Sequence, residues 1–154
     1  MNLPASPLPA LQVVDLVPDG ERQLQAFFEA NPLYFVQVNG VPAQPGEAHD
    51  EIHGALPAGW PFTHKYVFGY QEQTGELRAM VNVVSDLLAT GVWHVGTFIV
   101  ATSRHGTGDA HVLYESVERW AQQGGARWMR LGVVQGNARA EAFWVRFGLS
   151  LIHI

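Results

Sequence analysis

The hydrophobic period changes twice in the second half of the chain, and these changes constrain the fold more than any other feature. Residues 92–101 are rich in β-branched and aromatic side chains, as strands are, and a turn containing Gly106 and Gly108 follows them. Residues 107–123 then place apolar side chains at helical spacing, and residues 126–134 return to a strand pattern. A strand, a helix and a second strand in this order predict a right-handed crossover and a parallel strand pair.

The segments before this unit predict antiparallel strands. Residues 65–73 and 76–87 are strand-like, and the Thr74-Gly75 pair that joins them is a hairpin signal. With residues 92–101 they predict an antiparallel meander, and residues 11–17 predict one more strand. The sheet is therefore expected to be mixed.

Three further segments have helical character. Asp19 is predicted to cap a helix over residues 21–31. Residues 41–63 are rich in Pro and Gly and should form loops around one short helix, GEAHDEIHGAL. The last helix, residues 137–147, is expected to begin at an Asn137 cap and to end before a glycine. The fold class predicted is α/β (mixed α+β), an antiparallel meander followed by a β-α-β-α unit.

Length and composition limit the class of protein. With 154 residues the chain suits one domain, expected over residues 11–154, after a proline-containing flexible arm at residues 1–10. There is no cysteine, so no thiolate nucleophile is available. The net charge of −5 argues against a nucleic-acid partner. Neither a long apolar run nor a signal peptide is found, so we expect no membrane partner and a cytoplasmic location.

The glycine turn has the composition of an anion-binding site. A helix that begins after such a turn directs unpaired N–H groups at whatever lies before it, and glycine lets a phosphate approach the main chain. The P-loop pattern does not fit, because Asp109 stands where it needs lysine. The dinucleotide-binding pattern does not fit either, because His111 stands where it needs a small residue. A plain turn is the alternative interpretation.

Two motifs in register resemble the GNAT superfamily of N-acyltransferases. The family pattern Q/R-x-x-G-x-G/A is similar to the segment at residues 105–110, with histidine in place of the usual Gln or Arg. Its later pattern, N-x-x-A-x-x-(apolar)-(Y/W)-x-x-x-G-F, is matched at Asn137, Ala140, Phe143, Trp144, Gly148 and Leu149. The resemblance covers about residues 11–149.

The resemblance implies that acetyl-CoA lies between a splayed pair of parallel strands. Main-chain groups of the first strand would pair with the pantetheine arm, and amides of the glycine turn would hold the pyrophosphate, with Arg104 adding charge. The cofactor-binding residues that it implies are Phe98, Ile99, Val100, Arg104, His105, Gly106, Thr107, Gly108, Asp109, Ala110, Asn137 and Trp144.

The expected reaction is transfer of acetyl to a primary amine, without a metal. Asp86 and His94 are the candidate bases, and His94 shares a face with Phe98 if no bulge intervenes. Trp144 occupies the position of the tyrosine that often acts as general acid in this family, but an indole cannot deliver a proton. The sequence HDEIH (49–53) departs from the H-E-x-x-H metal pattern, and a solvated helix face is the preferred interpretation.

Other features leave alternatives open. Only six residues follow Gly148, enough for one strand at residues 149–154, and a short sheet edge favours a homodimer.

A catalytically inactive CoA-binding or regulatory domain is the alternative function. The acceptor is not specified by any motif, but its site is expected within residues 27–63, including Phe28, Tyr34, Phe35 and Trp60.

Overall fold

The computed structural model describes residues 2–134 and 136–150. It contains one five-stranded sheet in the order β1-β2-β3-β4-β5. Neighbouring strands are antiparallel except β4 and β5, which are parallel. The strands are β1 (Gln12–Asp15), β2 (His64–Gln71), β3 (Leu77–Ser85), β4 (Val92–Val100) and β5 (Trp128–Leu131). The predicted mixed sheet, its meander and its parallel pair are confirmed.

Within the described residues, four α-helices lie between these strands and a fifth follows β5. They are α1 (Glu21–Ala30), α2 (Leu33–Asn39), α3 (Glu47–His53), α4 (Asp109–Gln123) and α5 (Ala138–Val145), and a 3₁₀ turn spans Thr102–Arg104. The cap predicted at Asp19 is wrong: Gly20 precedes α1, and no side chain caps that helix. The cap at Asn137 is confirmed, because its side chain accepts a hydrogen bond from the Ala140 amide. Among the described residues, no helix has the length and hydropathy needed to cross a membrane.

Helices cover both faces of the sheet. Leu113, Val117 and other residues of α4 are buried against one face, and the aromatic side chains of α5 pack beside them. Leu24 and Phe28 of α1 and Ile52 of α3 are buried against the opposite face. The sheet therefore separates an α4–α5 layer from an α1–α3 layer.

The N-terminal residues lie against the α4–α5 layer. Leu3 and Leu8 pack on its core, and the Trp120 indole donates a hydrogen bond to the Asn2 carbonyl at 2.7 Å. At the other end of the chain, the predicted strand at 149–154 falls mainly outside the described residues. Residues 149 and 150 are not in a strand.

A β-bulge divides β4 into two halves. Asn82 of β3 pairs with Thr97, but the next residue, Val83, pairs with Val95. Gly96 is therefore the extra residue of β4, without a partner of its own on β3. A bulge of this kind reverses which side chains face which side of the sheet.

The reversal is visible in the packing of β4. Trp93 and Val95 are buried on the α4–α5 side, and strict alternation would send Ile99 to that side as well. Instead, Phe98 and Val100 pack there, and Ile99 is buried on the α1–α3 side. His94 precedes the bulge, so it does not share a face with Phe98 as unbroken alternation would require.

The parallel pair β4–β5 is short. The two strands pair from Val92↔Trp128 to Val95↔Leu131 and no further. Beyond the bulge, residues 97–100 are paired on one side only, with β3. The opposite edge of this half of β4 is open, and it forms one wall of the site described next.

Candidate functional site

A cleft of about 710 Å³ opens where β4 and β5 separate. Its walls are residues 95–100 of β4 and residues 131–134, which continue from β5. The glycine turn and α4 close one end, α5 covers one side, and residues of α2 reach the other end. The splayed strands thus lead from the glycine turn to α2.

The glycine turn presents free main-chain donors to this cleft. Gly106 and Gly108 have φ angles of +78° and +88°, and a Cβ added to either would meet nothing within 4 Å. Within the described chain, the N–H groups of residues 106–108, Ala110 and His111 have no hydrogen-bond partner. Five amides beside open space at a helix N-terminus form a suitable environment for an anion.

Most residues that the sequence predicted for the cofactor line this cleft. Arg104, Thr107 and Asp109 are the exceptions. Arg104 forms an ion pair with Asp109 at 2.8 Å and lies 3.8 Å from Glu72, so its charge is already balanced by carboxylates. The predicted residues that line the cleft are Phe98, Ile99, Val100, His105, Gly106, Gly108, Ala110, Asn137 and Trp144.

His105 is held by the strand that precedes the turn. Its Nε2 lies 2.9 Å from the Val100 carbonyl oxygen, with which it can form a hydrogen bond as donor. Its Nδ1 is buried and has no protein partner among the described residues. The ring therefore links the end of β4 to the glycine turn, and it stands where the family pattern has Gln or Arg.

Trp144 forms part of the aromatic layer under the cleft. Its ring lies 5.9 Å from that of Phe98 and 4.6 Å from that of Tyr114, centroid to centroid. The Tyr114 hydroxyl is buried, and this burial raises its pKa. Neither side chain is suited to deliver a proton near neutral pH.

The charge of the cleft is the opposite of the charge of the chain. The chain carries 14 Asp and Glu against 9 Lys and Arg, yet no carboxylate lines the cleft among the described residues. Arg139 of α5, Arg146 at the C-terminal end of α5 and His111 of α4 do line it. Sequence reasoning missed all three, because none belongs to a motif position. Arg139 could have been found from its place two residues after the Asn137 cap.

Neither predicted base lines the cleft. Asp86 lies in the β3–β4 turn, before β4 begins, and its carboxylate accepts hydrogen bonds from the Gly91 amide at 2.7 Å and the Thr63 hydroxyl at 2.8 Å. These bonds lower the pKa of Asp86. Burial, and next the charge of Arg130, lower the pKa of His94. The structure thus places both groups away from the open half of β4.

A different carboxylate lies behind the α2 end of the cleft. Gly96 and Tyr34 line that end, and the Asn82 side chain lies 3.5 Å from where a Gly96 Cβ would be. The Asn82 amide nitrogen donates to Glu51 Oε1 at 2.8 Å. Burial, and next the charge of Glu51, raise the pKa of the Tyr34 hydroxyl. Glu51 is therefore close enough to act electrostatically on this wall of the cleft.

The expected acceptor residues divide into two groups. Tyr34 lines the cleft, and Trp60 is 44 % exposed outside it. Phe28 and Phe35 are buried in the α1–α3 core, with ring centroids 4.7 Å apart. Their role is packing, since a buried core ring cannot contact a substrate.

The fold is shared with solved acetyltransferases. An acetyltransferase from Thermus thermophilus is 15 % identical, with a TM-score of 0.73 over 93 % of this chain and 88 % of that one. The ribosomal-protein-S18-alanine N-acetyltransferase from Escherichia coli is 12 % identical, with a TM-score of 0.64 over 93 % and 79 %. AAC(6')-Iy, solved with a CoA-S-monomethyl-acetylneamine bisubstrate analogue, is 14 % identical, with a TM-score of 0.63 over 94 % and 93 %.

The sequence comparisons give the family. No curated protein matches the chain significantly. The model of the acetyltransferase (GNAT) family matches residues 21–149, which include the cleft, the glycine turn and both motifs of the resemblance. The chain belongs to the GNAT family of acetyltransferases and is an acyltransferase.

Proposed function

We propose that this protein transfers an acetyl group from acetyl-CoA to a primary amine. The observation that carries the proposal is the cleft itself: an open strand edge that leads to five free amides and two arginines, without a carboxylate among its described lining residues. Acetyl-CoA has an extended, largely apolar arm with phosphates at one end, and this shape matches the distribution of groups in the cleft. The binding of a CoA-based analogue by AAC(6')-Iy, a structural neighbour, supports the same ligand class.

The parts of acetyl-CoA correspond to different parts of the cleft. The amides of residues 106–111 would hold the pyrophosphate, with Arg139 and Arg146 nearby, since α-helix N-termini and guanidinium groups both stabilise phosphate charge. The open edge of β4 at residues 97–100 would pair with the amide groups of the pantetheine arm, as a neighbouring strand does. Its N–H groups are also available to negative charge developing on the thioester oxygen.

The amine must lose a proton before it can attack. An alkylamine with a pKa of about 10.4 is neutral only to about one part in a thousand near pH 7.4, a handicap of about 4 kcal/mol. We propose Glu51 as the group that receives this proton, directly or through a water molecule. It lies behind Asn82 at the α2 end, and its charge also favours binding of the amine as a cation.

The leaving group needs little help from the protein. Trp144 stands at the position where the family often has a tyrosine, and it cannot protonate the thiolate. A thiolate, whose conjugate acid has a pKa of about 8.5, leaves without a proton donor more readily than an alkoxide. We therefore assign Trp144 to packing beneath the cofactor rather than to proton transfer.

Calorimetric titration with acetyl-CoA and with desulfo-CoA tests the cofactor, and release of free CoA thiol with a panel of amines tests turnover. Binding of both ligands and thiol release with a cationic amine are the expected results. Binding without turnover across the panel would favour the alternative, an inactive CoA-binding domain. Failure to bind either ligand at about millimolar concentration, the upper end of the usual range of KM, would refute the proposal.

A further inference from the structure

Two helices on the α1–α3 side bring two histidines and a glutamate together. His49 Nδ1 lies 3.0 Å from Glu21 Oε2, and the His49 and His53 ring centroids are 4.9 Å apart. One ligand atom from each residue lies within 4.8 Å of the other two. All three residues are exposed, and none lines the cleft. The proposed acetyl transfer therefore uses none of them.

The spacing of the histidines explains the first half of this arrangement. His49 and His53 are four residues apart on α3, so their rings project from the same side of the helix. The sequence HDEIH lacks the H-E-x-x-H pattern, in which two histidines bind the metal and the glutamate acts as general base. Here the third candidate ligand comes from a different helix, α1, where Glu21 is the first residue. This third group could not be found from the local sequence.

The two helices are held in place by contacts that do not involve the cluster. The Gln25 side chain of α1 accepts a hydrogen bond from the Ala48 amide at 3.0 Å and donates to the Gln44 carbonyl at 3.0 Å. Ala48 and Ile52 are buried between α3 and the core. Because the backbones are fixed in this way, only exposed side chains must move for the three groups to converge.

The donor set selects a class of metal ion. Two imidazole nitrogens and a carboxylate oxygen suit Zn²⁺ and neighbouring divalent transition metals, whereas Mg²⁺ and Ca²⁺ prefer oxygen ligands alone. Ligand atoms bound to Zn²⁺ at about 2.0–2.1 Å lie roughly 3.3 Å apart in a tetrahedral site. Reaching that separation from 4.8 Å requires a shift of about 1.5 Å, within the range of a rotamer adjustment of exposed side chains. The α3 segment also carries three carboxylates and no Lys or Arg, which favours a cation.

We propose that Glu21, His49 and His53 form a surface site for Zn²⁺ or a similar divalent transition metal. The ion would join α1 to α3 across their exposed side, and water would complete its coordination. A bound ion then stabilises the native protein, because the three ligands converge only when both helices are in place. An ion pair between His49 and Glu21 alone would leave His53 without a role.

Zinc titration of the full chain, with any affinity tag removed, tests this site. We expect one Zn²⁺ per chain by calorimetry and a melting temperature that rises by several degrees at about 100 times the Kd and returns on addition of EDTA. Glu21→Gln and His53→Ala should each weaken binding by about tenfold or more and remove the thermal shift. His64→Ala, which removes another exposed histidine, should leave both unchanged.

Three outcomes would overturn the proposal. They are no binding at about 1 mM Zn²⁺, wild-type affinity in either Glu21→Gln or His53→Ala, and loss of binding in His64→Ala. Since the substituted side chains are exposed, circular dichroism of each variant should match that of the wild type, and a change in affinity then reports the ligands themselves. Co²⁺ gives a second readout, because its visible absorption changes when imidazole nitrogens replace water as ligands.

Discussion

Gly108 offers the sharpest test of where an anion binds. Its φ of +88° and the open space around its missing Cβ mean that a side chain added there projects into free volume. In Gly108→Asp, the added carboxylate would lie beside the free amides at the start of α4. The substitution should therefore weaken binding of acetyl-CoA by electrostatic repulsion and by occupying the phosphate position.

The two contributions can be estimated separately. A non-glycine residue in the left-handed region costs about 1–2 kcal/mol of stability. A carboxylate about 5 Å from a phosphate charge, at an effective dielectric constant of about 20, costs about 3 kcal/mol of binding free energy. Each amide bond to a phosphate oxygen that is lost adds about 1.5–3 kcal/mol. Even after screening by solvent, we expect the Kd for acetyl-CoA to rise by at least about 100-fold.

Gly59 provides a matched control for the backbone cost. Its φ is +82°, and nothing lies within 4 Å of an added Cβ. It belongs to the loop whose Pro61 carbonyl accepts a hydrogen bond from the Leu88 amide, at the β3–β4 turn. That turn is at the opposite end of β4 from Gly108. Gly59→Asp should therefore carry the same strain without the loss of affinity.

The assay is calorimetric titration of acetyl-CoA into the two variants and the wild type, with melting temperatures measured in parallel. Both variants should melt a few degrees lower, since 1 kcal/mol shifts a chain of this size by about 2–4 °C. Only Gly108→Asp should lose affinity. Equal affinities in the two variants, with both folded, would show that the phosphates bind elsewhere.

Three further variants follow from the cleft and the sheet. Arg139→Gln should weaken acetyl-CoA binding by roughly three- to tenfold in the same titration, a modest effect because the side chain is exposed. Glu51→Gln should lower kcat by about 100-fold or more in the thiol-release assay, without changing the Kd for acetyl-CoA. His94→Asn should flatten the pH dependence of stability measured by urea unfolding between about pH 7 and about pH 5. Because the pKa of His94 is lowered in the folded protein, the unfolded chain binds more protons as the pH falls below about 6.5, and wild-type stability drops by up to about 1.4 kcal/mol per pH unit.

Each of these variants has its own control. Arg127→Gln removes an exposed arginine outside the cleft and should bind acetyl-CoA normally. Asp50→Asn changes the residue beside Glu51, and this variant should keep the kcat of the wild type. If kcat fell equally in Asp50→Asn and Glu51→Gln, the loss would come from a general change of charge and not from proton transfer. His64→Asn should retain the wild-type pH profile of stability. If His94→Asn also retained the wild-type pH profile of stability, burial of His94 would not be the cause of that profile.

The sequence was sufficient where local patterns decide the structure. The β-branched and aromatic side chains of residues 92–101 and the helical spacing of 107–123 predicted the parallel pair. The Asn137 cap depends only on residues of its own helix. Gly106 and Gly108, which line the cleft, were also predicted, because their positive φ angles depend on the local turn. Asp19 failed as a cap because the chain enters α1 through Gly20, a detail of backbone direction that composition does not encode.

Long-range contacts decided the rest. The bulge at Gly96 depends on how β3 pairs with β4. From the sequence we could state only that His94 shares a face with Phe98 if no bulge intervenes. Glu51 is held behind the cleft wall by a hydrogen bond from Asn82, which is 31 residues away in the chain. Glu21 and His49 are 28 residues apart. None of these pairs has a periodic or motif signature, since the tertiary fold alone brings their members together.

The bulge at Gly96 makes the length of β4 as important as its composition. If Gly96 paired regularly with β3 instead of bulging, the two sheet faces would be exchanged for every residue that follows it in the strand. Phe98 would leave the aromatic layer beneath the cleft, and Ile99 would enter it. Removal of Gly96 would keep each of these side chains on its present face, so homologous chains should lose the bulged residue more readily than they gain a further residue in this half of β4.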